Sequence, residues 1–162
     1  MMVREFRMDD WVAVKKAWDV FFSSKKCLDR VSGDPIFDPS ASRLEAFCRA
    51  SLASDTTKVM GVYNESRCLV LAFLQDCTQV DPVVNEAGRL MIESKLYTLV
   101  RLVFSVPGAP SAAVRLMDEH LVLLARAKGH SKIVGNCRMS IPLAGAKSYG
   151  YVPEYQVLVK KV

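Results

Sequence analysis

Residues 95–136 constrain the fold more than any other stretch, because they combine a strand, a turn, a helix and a second strand. Residues 97–106 are almost continuously apolar, a composition typical of a strand buried within a sheet. The four residues that follow, 107–110, are Pro-Gly-Ala-Pro. Because proline lacks an amide donor and restricts the residue before it, this sequence predicts the end of the strand and a tight turn.

A helix is predicted after this turn, with Ser111 as its N-cap and Gly129 as its C-terminal cap. Apolar residues recur at helical spacing and form one stripe: Ala113, Leu116, Met117, Leu121 and Leu124. Residues 132–136 are apolar enough to form a returning strand. A crossover of this length favours parallel pairing, so the whole stretch predicts a βαβ unit.

The first part of the chain predicts one strand and two helices. Residues 3–7 indicate the strand, and Asp9 or Asp10 is expected to cap the first helix. One face of that helix is aromatic and apolar, with Trp11, Val14, Trp18, Phe21 and Phe22. Ser42 and Glu45 have the spacing of a capping box at the start of the second helix. Its inner stripe is predicted to contain Leu44, Phe47, Cys48 and Leu52.

An antiparallel hairpin is predicted next, because residues 58–63 and 67–75 are apolar-rich and flank a polar turn. Asp81 and Pro82 are expected to break the chain after this hairpin. Residues 76–94 as a whole show no pattern that assigns them to a helix, a strand or a loop. The predicted hairpin therefore leaves a gap before the long apolar strand.

Residues 23–39 contain several turn-forming residues and predict a long irregular segment, of the kind that often borders a binding site. Within it, Ile36 and Phe37 either dock on another chain or fold back over the protein's own core. A short helix over residues 140–150 and a final strand over residues 151–162 are expected at the end of the sequence.

Length and composition fit a single α/β domain over residues 1–162, with the element order β-α-α-β-β-β-α-β-α-β and a mixed sheet. Apolar residues make up 51% of the chain, yet no apolar run reaches the roughly 20 residues that span a bilayer. The first residues lack the pattern of a signal peptide, so we expect a cytoplasmic protein. The net charge of +5 is spread along the sequence, which does not indicate nucleic-acid binding.

Five widely spaced cysteines, an odd number without a Cys-x-x-Cys pair, favour reduced buried thiols over a disulfide framework or a zinc site: Cys27, Cys48, Cys68, Cys77 and Cys137. No other metal-binding pattern is present in the sequence. His120 lies on the predicted inner stripe of the long helix, where a partly buried histidine is expected. His130 follows the glycine cap and is expected to be exposed.

The predicted element order resembles that of the GNAT superfamily, the acetyl-coenzyme A-dependent N-acetyltransferases. That family binds the coenzyme phosphates at a helix N-terminus, in a loop with the pattern Q/R-x-x-G-x-G/A. Here Ser105-x-x-Gly108-x-Pro110 keeps the central glycine, and Gly108-x-x-Ser111-x-Ala113 keeps the final small residue. The resemblance implies that acetyl-coenzyme A binds at Phe104, Ser105, Val106, Gly108, Ala109, Ser111, Ala112 and Ala113. The alternative is that Pro-Gly-Ala-Pro is only a tight connection between a strand and a helix.

The catalytic positions of the GNAT family are less similar. The family pattern Y-x-x-x-G-F aligns with residues 146–151 and places Ala146 at the tyrosine that often acts as general acid. Tyr149, one residue before the glycine, and Cys137, just after the returning strand, are the candidate replacements. Residues 95–106 contain no acidic residue to match the family's general base.

Two functions are compatible with these departures. The first is a non-catalytic GNAT-fold protein with a structural or interaction role, for which we expect a protein partner or a homo-oligomer. The Val-Gly-Asn element at residues 134–136, followed by a glycine and an aromatic residue, is similar to degenerate GNAT-like proteins of tailed phages, which would place such a protein in a virion or the host cytoplasm. The alternative is an acetyl-coenzyme A-dependent N-acetyltransferase with an atypical site and an amine substrate.

Overall fold

The computed structural model describes residues 1–23, 41–65, 67–135 and 147–152. The described strands and helices are, in chain order, β1 (Met2–Phe6), a 3-10 turn (Met8–Asp10), α1 (Trp11–Phe22), α2 (Ala41–Ala53), β2 (Thr57–Asn64), β3 (Arg67–Val84), β4 (Leu90–Ser105), α3 (Ser111–Ala127) and β5 (Lys132–Gly135). The predicted irregular segment with Ile36 and Phe37, the predicted final strand from residue 153 onward, and Cys27 and Cys137 lie outside the described residues. Of the predicted helix over residues 140–150, only Lys147 and Ser148 are described as helical.

The described strands form one sheet in the order β1-β2-β3-β4-β5. The first three pairings are antiparallel, and β4 and β5 are parallel. The parallel pair flanks α3, so the predicted βαβ unit and the predicted mixed α/β sheet are both confirmed. None of the described helices is both long enough and apolar enough to cross a bilayer.

Aromatic side chains attach α1 and α2 to one face of the sheet. The Trp18 ring of α1 lies 5.8 Å from the Phe73 ring of β3, and the Phe47 ring of α2 lies 5.4 Å from it. The predicted aromatic face of α1 is thus confirmed for Trp18 and for Phe21, which stacks on Phe104 at 4.2 Å. Because side chains alternate along a strand, residues adjacent to Phe73 point to the other face.

The helix α3 covers this second face. Val62, Val70 and Leu74 point to it and are buried, and they belong to the same core cluster as the helix. The buried residues of α3 are Ala113, Met117, Leu121 and Ala125. Leu116 and Leu124 pack against the cluster and are partly buried. The predicted apolar stripe is therefore confirmed, although Ala125 extends it and the two flanking leucines form its margin.

At the other end of the sheet, Phe6 of β1 lies across β2 at Gly61. A Cβ atom on this glycine would be 1.8 Å from Phe6 Cε2, so the ring occupies the space that any other residue would need. The Arg4 guanidinium covers the outer side of the ring, 4.7 Å from its centroid, and also lies over Tyr63 at 5.4 Å. Glycine is required at this position of β2 because of packing.

The expectation that Asp81 and Pro82 break the chain was wrong. Strand β3 continues through both to Val84 and pairs with β4, Pro82 being opposite Ile92. Proline is tolerated because β2 pairs with β3 only as far as Gln75, so in the described structure Pro82 is on an open edge that requires no amide donor. The unassigned residues 76–94 are the outer half of this long β3–β4 hairpin.

One of the two predicted N-caps was wrong, and the other was right in position only. Pro110, with extended backbone, occupies the N-cap of α3, and Ser111 is its first helical residue. Asp10 occupies the N-cap of α1, but its carboxylate makes no capping bond. It accepts hydrogen bonds from the Arg7 amide at 3.0 Å and from Arg4 Nη2 at 2.7 Å instead. The Asp10 carboxylate therefore binds the charged Arg4 guanidinium and does not cap the amides of α1.

The predicted C-terminal cap of α3 is confirmed. Gly129 has a φ of 68°, which glycine adopts without strain. Its amide donates to the Arg126 carbonyl at 3.0 Å, and the His130 amide donates to the Ala125 carbonyl at 2.9 Å. These two bonds form a Schellman motif, which ends the helix and directs the chain into β5.

Candidate functional site

The backbone of β4 is irregular near the end of its parallel pairing. Leu74 pairs with Val100 and Phe73 pairs with Leu102, so Arg101 is an extra residue in a β-bulge. Pairing with β5 is described as far as Val100 and Gly135. Among the described residues, β4 beyond the bulge therefore pairs only with β3. In the described structure no strand therefore pairs with the other edge of β4 here, and this edge is called the open edge below.

The hydrogen bonds of β4 indicate which backbone groups face this open edge. The Val106 amide donates to the Leu69 carbonyl at 2.9 Å, so the backbone of residue 106 points toward β3. Backbone groups alternate in direction along an antiparallel strand. Phe104 therefore also points toward β3, and the amides and carbonyls of Val103 and Ser105 point toward the open edge. An extended amide-containing ligand has two residues with which to pair.

The turn after β4 presents further amides. The Ala109 amide donates to the Val106 carbonyl at 3.0 Å, and Gly108 has a φ of 77°, which defines a turn that glycine accommodates best. Within the described part of the chain, the amides of Gly108, Ser111 and Ala112 have no acceptor. Two of these three begin α3, where the helix dipole adds partial positive charge. An anion is favoured at this turn.

Cationic side chains lie on both sides of the turn. Arg67, at the start of β3, donates from Nη2 to the Pro107 carbonyl at 3.4 Å. Arg115 is exposed one turn into α3 and lines a cavity of about 360 Å³ together with Met1, Ser111, Ala112, Leu116 and Glu119. Arg67 supplies positive charge next to a turn that has no charged residue of its own. The spacing pattern within the loop could not predict this contact.

The eight residues expected to bind the coenzyme come together at this turn, but in two groups. Phe104, Val106 and Ala113 are buried, so only their backbone is available to a ligand. Ala109 is half-buried, and Ser105, Gly108, Ser111 and Ala112 are exposed. The exposed group carries small side chains, which allow close approach of a phosphate to the backbone.

The candidate acid Tyr149 is half-buried, in the turn that ends at Gly150. The neighbouring Tyr151, which the sequence did not single out, is fixed on α3 because its hydroxyl donates to Asp118 Oδ1 at 3.1 Å. Burial raises the pKa of the Tyr151 hydroxyl above its ordinary value, and the nearby carboxylate raises it further. Burial also raises the pKa of Asp118, although the bond from Tyr151 opposes this. Tyr151 is therefore a poor proton donor. Its hydrogen bond to Asp118 holds residues 147–152 against α3.

The prediction that His130 is exposed was wrong. The residue is half-buried, and its Nδ1 lies 2.8 Å from the Oγ1 atom of Thr98, which is 1% exposed. The Schellman motif turns the histidine toward β4, and the Ser131 amide then donates to the Leu96 carbonyl at 2.9 Å. The histidine satisfies a buried hydroxyl on the strand, which sequence spacing could not indicate.

Charged groups on β4 do not include a base near the bulge. In the described structure the acidic residue of β4 is Glu93, which pairs with Lys95 at 2.9 Å in the outer hairpin. At the bulge itself, Arg101 donates from Nε to Gln75 Oε1 at 2.8 Å. The bulge therefore carries a cation that is directed toward β3, and no described carboxylate of β4 accompanies it.

The cysteines that the structure describes are free thiols, as predicted: Cys48, Cys68 and Cys77. Burial raises the pKa of both Cys48 and Cys68 to about 12, which keeps them protonated and unreactive. Among the described residues, no group of three histidine, cysteine, aspartate or glutamate side chains is placed to hold a metal ion.

The bulged strand, its open edge and the amide-rich turn at a parallel crossover form the candidate site of this α/β protein. No protein-family model matches the sequence, and no curated protein matches it. The fold, in contrast, is similar to solved structures. A mutant of the BH1408 protein from Bacillus halodurans has a TM-score of 0.65 at 16% identity, covering 100% of this chain and 99% of that chain.

Two further solved structures have names that state an activity or a bound ligand. Ribosomal-protein-alanine N-acetyltransferase from Brucella melitensis has a TM-score of 0.63 at 12% identity, with 100% of both chains covered. AAC(6')-Iy, in complex with the bisubstrate analogue CoA-S-monomethyl-acetylneamine, has a TM-score of 0.62 at 12% identity, covering 99% of this chain and 97% of that chain. The chain has the fold of the GNAT superfamily, as its element order predicted.

Proposed function

We propose that this protein binds acetyl-coenzyme A along the open edge of β4 and transfers its acetyl group to an amine. The single observation that carries the proposal is the position of the β4 bulge. It coincides with the last described β4–β5 pair and is followed by a turn with three available amides. The amides of a pantetheine chain match the backbone of Val103 and Ser105, and the phosphates match Gly108, Ser111 and Ala112.

The chain's own contribution to transfer is positioning. The thioester supplies an activated acetyl group: the amine nitrogen bonds to the carbonyl carbon, the carbon–sulfur bond breaks, and sulfur retains the bonding electrons. Holding both reactants in contact accelerates such a step by orders of magnitude without an acid or a base. With no carboxylate of described β4 at the bulge, the amine loses its proton to water. The rate is therefore expected to rise with pH until the amine acceptor is fully deprotonated.

A phosphate site can be tested with one added charge. Ala112→Glu places a carboxylate among the proposed phosphate ligands, while a glutamate in the first turn favours the helix. We expect the affinity for acetyl-coenzyme A, measured by calorimetry at low salt, to fall by at least about tenfold. Leu123→Glu is the matched control, because it adds the same charge at an exposed position of the same helix. Equal affinities of the two variants would contradict the phosphate site.

Binding itself has a direct test. At a ligand concentration of 100 times Kd, binding stabilises the folded state by about 2.7 kcal/mol, which a thermal shift detects easily. The absence of both heat and thermal shift at millimolar acetyl-coenzyme A would reject the proposal. Loss of affinity in Arg67→Gln would further support the role of the arginine that contacts the turn.

A second candidate is supported by Arg101. Its guanidinium, at the bulge where transfer would occur, repels a cationic amine, and no described carboxylate of β4 compensates for it. This favours a non-catalytic GNAT-fold protein with a structural or interaction role, including a role in a phage particle. Such a protein binds or ignores the coenzyme but forms no acetylated product. Mass spectrometry of a panel of amines after incubation with acetyl-coenzyme A distinguishes the two functions.

A further inference from the structure

The outer half of the β3–β4 hairpin extends beyond the rest of the sheet. Strand β2 pairs with β3 only up to Gln75, and β5 pairs with β4 only from Tyr97. In the described structure, residues 76–84 and 90–96 therefore pair only with each other. At about 3.3 Å per residue, this ribbon is roughly 25 Å long. A two-stranded ribbon in water is marginally stable alone, so an uncovered face on it requires an explanation.

One face of the ribbon is apolar. The cross-strand pairs place six residues on it, here called the hairpin apolar face: Val80, Pro82, Val84, Leu90, Ile92 and Leu96. All six are exposed, and the five other than Pro82 are between 47% and 73% exposed. Thr78 and Ser94 complete this face, and Asp76 at its base is paired with Lys128, so outward of the base the face carries no charged residue. The opposite face carries the charges, including the Glu93–Lys95 pair.

The hairpin apolar face continues the face of the sheet that α3 covers. That helix ends at the base of the ribbon, where Lys128 forms an ion pair with Asp76 and the Ser131 amide binds the Leu96 carbonyl. Inward of this point the sheet face is buried, with Val100 only 7% exposed. Outward of it, the same face stays apolar although no described helix covers it. The apolar pattern is therefore that of an interior surface.

We propose that the hairpin apolar face is a homodimer interface, on which the same face of a second copy packs about a two-fold axis. In a two-fold dimer the hairpin apolar face packs against the same face of the second copy. Charged residues there would lie close to equal charges of the other copy and repel them, so an uncharged face favours self-association. The chain has a net charge of +5, so two copies approach most favourably through a neutral surface. Pro82 opposes edge-to-edge pairing along β3, since it has no amide to donate, and this leaves face-to-face packing.

The area is sufficient for a reversible dimer. A Val, Leu or Ile side chain hides roughly 60–120 Å² of apolar surface when fully buried. Six partly exposed side chains therefore offer on the order of 300 Å² per copy. With Thr78, Ser94 and the adjoining backbone, two copies would bury on the order of 1,000 Å² in total, the lower bound for a specific interface. The expected affinity is micromolar, and the dimer dissociates on dilution.

The test is sedimentation velocity of the full chain over a concentration series, with two variants. Ile92→Lys places a charge in the centre of the hairpin apolar face. Met91→Lys is the matched control, because it adds the same charge one residue away on the opposite face, where Met91 is 50% exposed. Both residues are exposed, so both variants are expected to fold, which circular dichroism checks. We expect the wild-type chain and Met91→Lys to dimerise and Ile92→Lys to dissociate at least about tenfold more readily.

Three results would overturn the proposal. The first is a wild-type chain that remains monomeric up to about millimolar concentration, where even a weak interface of this size associates. The second is a dimer that Ile92→Lys and Met91→Lys weaken equally, which would place the interface elsewhere. The third is a monomer whose hairpin amides are strongly protected from hydrogen exchange, because a segment of the same chain would then cover the face. Loss of the dimer in Ile92→Lys alone supports it.

Discussion

Replacing Gly61 by alanine tests the packing of β1 against β2 directly. The new Cβ would lie 1.8 Å from Phe6 Cε2, 2.7 Å from Cζ and 2.8 Å from Cδ2. The ring is 2% exposed and lies beneath Arg4, so it has no open space into which to swing. Overpacking of this kind costs about 1–3 kcal/mol, while alanine regains about 0.5–1 kcal/mol because it restricts the unfolded chain. We expect Gly61→Ala to destabilise the protein by about 1–2 kcal/mol.

Urea unfolding followed by tryptophan fluorescence measures this loss. Gly135→Ala is the control, because a Cβ at that strand position would have Val100 Cβ, at an ordinary 4.0 Å, as its nearest neighbour among the described residues. It should be neutral or slightly stabilising. In a Phe6→Leu background, where the ring is absent, the cost of Gly61→Ala should largely disappear, giving a coupling of about 1 kcal/mol. An equal cost in both backgrounds, or no cost in either, would refute the assignment of the ring to this space.

Three further predictions concern the core and the titratable groups. Leu121→Ala, which removes a side chain 4% exposed, should cost about 2–5 kcal/mol in urea unfolding, whereas Leu123→Ala, at 63% exposure, should change stability by less than about 0.5 kcal/mol. Folding raises the pKa of the Tyr151 hydroxyl, so above pH 10.0 the unfolded chain loses this proton before the folded chain does. The free energy of unfolding should therefore fall as pH rises above 10.0. The Tyr151→Phe variant should lack this contribution to the fall. Since Cys48 is buried and its pKa is raised to about 12, a thiol reagent at pH 8 should label the half-buried Cys77 before Cys48, and peptide mapping that found Cys48 labelled as fast would place that thiol at the surface.

The sequence predicted the βαβ unit because its signals are local. The prolines at 107 and 110 end the strand, Gly129 ends the helix, and the intervening stripe has a helical period. The outer hairpin was missed because Pro82 normally argues against a strand, and only the pairing partners reveal that its edge is open. An edge position is a property of the sheet and not of the local sequence.

The candidate site was predictable only in part. The turn follows from the glycine and the prolines, but Arg67 reaches it from 40 residues earlier in the chain. The contact between Thr98 and His130 depends in the same way on the parallel register of β4 and β5. Long-range pairing decides both contacts, and no spacing rule within one segment contains that information.

The bulge at Arg101 divides β4 into two halves with opposite orientation. Val100 pairs with Leu74 and faces α3, whereas Leu102 pairs with Phe73 and faces α1 with Phe104. This change of face explains why apolar and polar residues do not alternate over residues 97–106, because neither face of the strand is polar along its whole length. Deleting Arg101 alone would make the ladder regular while leaving Val100, Leu102 and Phe104 on the faces they already occupy, so Phe104 would stay against Trp18. Deletion of Arg101 should therefore keep the core packing of β4, and comparisons of this strand with regular strands require a one-residue gap.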